Sequence, residues 1–279
     1  MGGVRARVAV GRERVIRELR ASAGLMADLE APVPAGAPWL TAALNVASAT
    51  RRRGRPVAVL VESGPLDPPV GAAFLWVARR GVVREVTMLG DGVSPSPPGR
   101  PWTRLLARDD RAAEVLAAGI LEVAAQRRGT WRLRLAGLPM GDRTLAALGG
   151  LRPDLAFVNR RSSAIVDRLD ASGCAVTRSR DPRAVERLLP ALLADRPDQG
   201  SRAMLRAAAR LHVAAGRLEV AEATDGDRLS AGMLTVADGA DRWPWVGCGD
   251  QAAFGTTMGL PSTAVEGGNG RIRGRAAAR

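Results

Sequence analysis

Met88-Leu89-Gly90-Asp91-Gly92 closes a run of three apolar segments, and Val246-Gly247-Cys248-Gly249-Asp250 closes a second run of the same make-up. Working back from each, the same order of elements appears. Before Met88 stand Pro56 to Val61, a continuous apolar run; Val70 to Ala78; and Val82 to Leu89, with turn residues between them. Such runs, bounded by Gly, Pro and Asp, read as strands. Before Val246 stand Leu218 to Ala223, Ser230 to Ala237 and Asp241 to Gly247.

Each trio follows two helical stripes. In the first copy Val15 and Leu19 mark a helix from Arg12 to about Ala23, and Leu40, Ala43, Leu44 and Ala47 share one face of a second helix that ends at Gly54. In the second copy Val185 and Leu189, then Met204, Ala208 and Leu211, repeat that spacing up to Gly216, with Pro190 a possible break. A short strand opens each copy: Val4 to Val10, alternating apolar residues with Arg5 and Arg7, and Ala175 to Thr177. A repeat fixes architecture before any motif is read.

After its trio the first copy continues with a Pro- and Ser-rich loop, Val93 to Pro101, and a helix that Asp109 or Asp110 can cap. A strand from Trp131, a helix from Arg143 to Leu148 and a strand near Leu155 to Val158 follow. Arg51 to Arg53, and Arg127 and Arg128, suit helix C-terminal dipoles. The second copy has only 29 residues after Asp250. The expectation is an α/β protein of two tandem units, 1–168 and 169–263, the second truncated at its C-terminal end, with 264–279 a disordered basic tail.

All 41 basic residues are Arg, Tyr is absent, and the formal net charge is +13. Such usage, with abundant Ala and Gly, reads as the codon bias of a GC-rich genome. This supplies a cause for the charge other than nucleic acid, so an Arg-rich nucleic-acid binder ranks last among the functional readings. Cys174 and Cys248 stand far apart and make no disulfide framework. No apolar stretch is long enough for a membrane helix, and a cytoplasmic protein is expected.

The order strand, two helices, three antiparallel strands, helix, strand, helix, strand resembles that of the GNAT acyltransferases. Two in tandem resemble the Fem-like and CelD-like members. Besides the order, the resemblance rests on Trp39-Leu40, Val70-Gly71-Ala72-Ala73-Phe74-Leu75, Met88 to Ser94, Ala214-Ala215-Gly216-Arg217-Leu218 and Ser230-Ala231-Gly232-Met233. It implies acyl transfer from acetyl-CoA or another acyl-CoA to an amine or hydroxyl acceptor or, in Fem-like members, from charged tRNA. A non-catalytic, degenerate module of the same fold is the alternative.

The resemblance also implies a site. The fourth strand of the second copy would pair with the pantetheine arm, and a helix starting within Gln251 to Gly259 would offer its amides to the pyrophosphate. On this reading Val246, Gly247, Cys248, Gly249, Gly255, Thr256, Thr257 and Gly259 contact the cofactor. The signature of Gln or Arg, two residues, Gly, one residue, Gly or Ala is not met, because Gly255 comes one position late. Glu222 and Asp250 are the general-base candidates, with Glu62 and Asp91 their counterparts in the first copy. His212, the sole histidine, reads as a partly buried helix residue, and no Cys/His spacing suits zinc.

Overall fold

The computed structural model describes residues 3–49, 53–64, 67–92, 95–126, 129–196 and 198–269. Expectations for Arg51, Arg52, Arg127, Arg128 and the tail from 270 fall outside these residues. Among the described residues there are seven α-helices and two sheets.

The first unit begins with β1 (Arg5–Val10), α1 (Arg12–Ala21), α2 (Ala23–Asp28) and α3 (Ala37–Ala49). It continues with β2 (Arg55–Glu62), β3 (Gly71–Arg80), β4 (Val83–Met88) and the two-residue β5 (Leu106–Ala107). Then come α4 (Asp110–Ala125), β6 (Trp131–Pro139), α5 (Arg143–Leu151) and β7 (Ala156–Asp167). Period 2 sorts the apolar run of β2 onto two faces. Val57, Val59 and Val61 join the core under α4, while Ala58 and Leu60 join the core under α1 and α3. Asp109 caps α4 by accepting from the Ala112 amide at 2.7 Å.

The second unit has β8 (Ala175–Ser179), α6 (Pro182–Ala194), α7 (Gln199–Ala214), β9 (Leu218–Asp225), β10 (Arg228–Asp238) and β11 (Asp241–Gly249), the strands in the order β11-β10-β9-β8. Pro190 lies inside α6 without ending it. The fold class is as expected: mixed α/β, two units on one plan, the second sheet of four strands incomplete relative to the first.

The largest departure follows Asp250. The stretch expected to open a cofactor helix forms one 3₁₀ turn, Gln251–Ala253, and then β12 (Phe254–Gly268). β12 leaves the second unit and inserts between β6 and β7, completing the first sheet in the order β1-β2-β3-β4-β6-β12-β7. Residues 264–268 are therefore strand, not disordered tail, and the boundary expected after 263 falls inside β12. The cause is non-local: β7 is twelve residues long and β6 nine, and only a third strand between them pairs both inner edges. Glycine admits the strand. A Cβ at Gly267 would meet Leu155 at 2.1 Å, and one at Gly268 the Trp131 carbonyl oxygen at 2.2 Å.

The units share a core. Trp39, Ala42, Ala43 and Val46 of α3 pack with Val185 and Leu188 of α6, Met204 and Leu205 of α7, and Trp245 of β11. His212 is fully buried there, its ring 5.4 Å from that of Trp39.

Candidate functional site

In the first sheet only β4 and β6 run parallel, and they pair over four residues, from Arg84 opposite Trp131 to Thr87 opposite Arg134. β4 then ends at Met88 while β6 continues to Pro139. The two strands part, and the segment 102–107 crosses the notch. On one flank the amides of Trp102 and Thr103 donate to the Gly137 carbonyl at 3.0 and 3.1 Å; on the other, β5 pairs with Gly71 and Ala72 of β3. Gly137 has φ +76°, and a Cβ there would meet the Trp102 indole nitrogen at 2.2 Å.

A cavity of about 430 Å³ opens beside this segment. Arg100, Arg104, Arg108 and Arg143 ring it, Asp142 lies in its wall, and Trp243 and Leu260 bring β11 and β12 to its rim. Each arginine has an anchor. Arg100 pairs with Asp241 at 2.7 Å and lies 4.8 Å above the Trp243 ring; Arg108 pairs with Asp28 at 2.5 Å; Arg143 pairs with Asp110 at 2.8 Å. Arg104 donates to the carbonyls of Leu29 and Glu30 and makes no ion pair with a described carboxylate. Glu30 holds φ +49°, where glycine is favoured, so this wall is a strained turn.

Asp142 caps α5, its Oδ1 accepting from the amides of Thr144 at 2.9 Å and Leu145 at 3.2 Å. Burial pushes its carboxyl above the usual carboxylate value, against the opposing pull of those amides and the Arg104 charge. The result is a desolvated carboxylate in a cationic cavity.

The residues expected from sequence lie elsewhere. Glu222, on β9, pairs with Arg187 at 2.7 Å, and Asp250 caps the 3₁₀ turn through the Ala252 amide at 2.9 Å. Val246 and Cys248 are buried in the core between the units, and Gly247 packs against the Phe254 ring. Gly255, Thr256, Thr257 and Gly259 all sit on β12, opposite β7 or in its bulge, so no helix amides converge there. A Cβ at Gly255 would meet Arg168 at 2.5 Å, and one at Gly259 the Gly99 backbone at 2.4 Å. In the first copy Glu62 is held by Arg7 at 2.7 Å, while Asp91 stands with Thr87 and Arg134 in the wall of a separate cleft. Among the described residues no group of His, Cys, Asp and Glu could hold a metal, and no helix is long and apolar enough to cross a membrane.

No family model and no curated protein matches the chain. Among solved structures it is similar to a conserved protein of unknown function from Bacteroides thetaiotaomicron, at 9% identity over 82% of this chain and 88% of that one, TM-score 0.49. It is also similar to a tandem GNAT protein from the clavulanic acid biosynthesis pathway (13% identity, 95% and 99% coverage, TM-score 0.40). A GCN5-related N-acetyltransferase from Sphaerobacter thermophilus matches at 12% identity, 95% of both chains and TM-score 0.33. Likeness at these values leaves the chemistry to be argued from the site itself.

Proposed function

We propose that the chain is an acyltransferase of GNAT-like plan that takes an acyl group from an acyl-CoA, with its reaction chamber in the first unit. The supporting observation is the cavity beside the notch where β4 and β6 part, ringed by Arg100, Arg104, Arg108 and Arg143 around the buried Asp142. Guanidinium forks suit the phosphates of such a donor. They replace the helix amides, since α4 begins with its own carboxylates, Asp109 and Asp110. In the transfer, the acceptor's nitrogen or oxygen bonds to the acyl carbon as the carbon–sulfur bond breaks, the thiolate leaves, and the acceptor's proton passes to Asp142. Glu222 and Asp250 are bystanders on this reading, held by Arg187 and by the 3₁₀ turn.

The second reading is a non-catalytic module that keeps the pocket for an anionic ligand. It is favoured by the segment 102–107, which already occupies the strand edges of β3 and β6. Calorimetry with acetyl-CoA tests the donor site: binding should weaken about tenfold in R104S, since Arg104 makes no ion pair with a described carboxylate. Release of free thiol from acetyl-CoA separates the two readings, because only the transferase breaks the carbon–sulfur bond. No binding at millimolar acetyl-CoA removes the transferase reading.

A further inference from the structure

Two large apolar side chains stand in water at the reaction chamber although the backbone beneath them is held in place. Leu260 is 57% exposed and Met140 54% exposed, and both line the cavity of about 430 Å³. Leu260 sits where β12 bulges. The register with β7 steps from Met258 opposite Ser163 to Pro261 opposite Arg161, passing over Gly259 and Leu260. Such a bulge re-aims the side chains it carries. This one is pinned: the Leu260 amide donates to the Gly99 carbonyl at 2.6 Å, and a Cβ at Gly259 would meet the Gly99 backbone at 2.4 Å. Met140 belongs to the short turn between β6 and α5, two residues before Asp142.

A single exposed leucine is ordinary on a protein surface. Here two apolar side chains from separate elements line one cavity together with Trp243, Pro101 and Pro139. The cavity thus has two kinds of wall. Arg104 and Arg108 are tied to the turn at Asp28, Leu29 and Glu30 and form the polar one. Leu260 and Trp243, with Met140 and Pro139 beside Asp142, form the apolar one. An acetyl group, with its one methyl, has no use for so much apolar surface. A longer chain does, because each methylene withdrawn from water strengthens binding about fourfold when fully buried. Methionine, unbranched and polarisable, suits a flexible chain.

We infer that the acyl group carried into this chamber is a medium-length or long aliphatic chain, not acetyl, and that Met140 and Leu260 select it. The inference rests on the acyl-CoA reading and names its substrate class. The donor's phosphates lie on Arg104 and Arg108, its thioester beside Asp142, and its chain across Met140 and Leu260 toward Trp243.

Octanoyl-CoA and acetyl-CoA, titrated calorimetrically into the full chain, test this. Octanoyl-CoA is expected to bind at least about tenfold more tightly. In M140S/L260S that ratio is expected to fall to about threefold or less. Both side chains are exposed, and circular dichroism checks that the variant folds. If neither thioester binds at millimolar concentration, the acyl-CoA reading fails and takes this inference with it. If both bind equally to wild type, or the octanoyl advantage survives in M140S/L260S, the acyl-CoA reading stands and the inference alone is overturned. Octylamine binding that M140S/L260S abolishes, with the two thioesters binding alike, overturns it too, because the apolar wall would then serve the acceptor.

Discussion

Val265 lies opposite Leu135 in the middle of the first sheet, although one belongs to the last described strand and the other to the first unit. Both are fully buried. The closing strand of the first unit thus arrives only after the whole second unit has been threaded, which couples the stability of the two.

V265A should therefore cost about 2 kcal/mol, the usual loss for two buried methyl groups and the space they leave. A chain ending at Ala253 should lose the cooperative unfolding transition of both units, because β6 and β7 then keep unpaired inner edges. Urea unfolding followed by circular dichroism reads both outcomes. A truncated chain that melts as wild type does would refute the coupling.

His212 should make the protein acid-sensitive. Burial, and secondarily the Arg217 charge, push its imidazole down to about 4, and neither ring nitrogen has a hydrogen-bond partner among the described residues. The folded state therefore favours the neutral ring while the unfolded state takes up its proton near pH 6.5. Stability is fully present above about pH 6.5 and falls by about 3 kcal/mol down to about pH 4. H212L should flatten stability across that window, as seen by urea midpoints at pH 7.5 and 4.5.

Cys248 should be inert. Burial, with the nearby Asp195 charge, pushes its thiol up to about 11, whereas Cys174 is partly exposed. Iodoacetamide at pH 8 should alkylate Cys174 at least about tenfold faster than Cys248, because the thiolate is the nucleophile. Mass spectrometry of the native labelled protein gives the ratio, and equal rates would contradict the buried placement.

Arg7 bridges two carboxylates, Glu18 at 2.9 Å and Glu62 at 2.7 Å, and both glutamates are buried. R7A should cost about 1–2 kcal/mol, less than a fully buried pair, because the Arg7 side chain is 43% exposed. R7A/E62Q should cost less than R7A alone, since one buried charge is then removed with its partner. Thermal melts of the three proteins test this ordering.

E30G should raise stability by up to about 1 kcal/mol, because Glu30 holds a left-handed φ that glycine adopts freely. A loss of stability in the melt would show that the Glu30 side chain, and not its backbone alone, supports the pocket wall.

The arginine chamber could not be read from the sequence. Arg100, Arg104, Arg108 and Arg143 come from a Pro-rich loop, the approach to α4 and the start of α5, and in a chain whose every basic residue is Arg none of them stands out. Asp142 stands directly before a helix, a position that aspartate commonly holds as a cap. By contrast the sequence around Gly255 and Gly259 reads as a phosphate loop, because small, amide-rich residues have the same composition in a turn and in a strand closely packed on its neighbours.

The sequence by itself determined β1, β2, β3, α3, α4 and α7, because their period 2, apolar runs and helical stripes are local consequences of which side must be buried. Its tandem plan followed from the same patterns repeated. Where β12 goes was decided only by the tertiary structure. Strand pairing joins residues such as Val265 and Leu135 through backbone hydrogen bonds that every residue but proline can donate, so side-chain pattern does not name the partner. The same assembly places the candidate site not at the second copy's glycines but in a cavity of the first unit's loops, rimmed by Trp243 of β11 and Leu260 of β12.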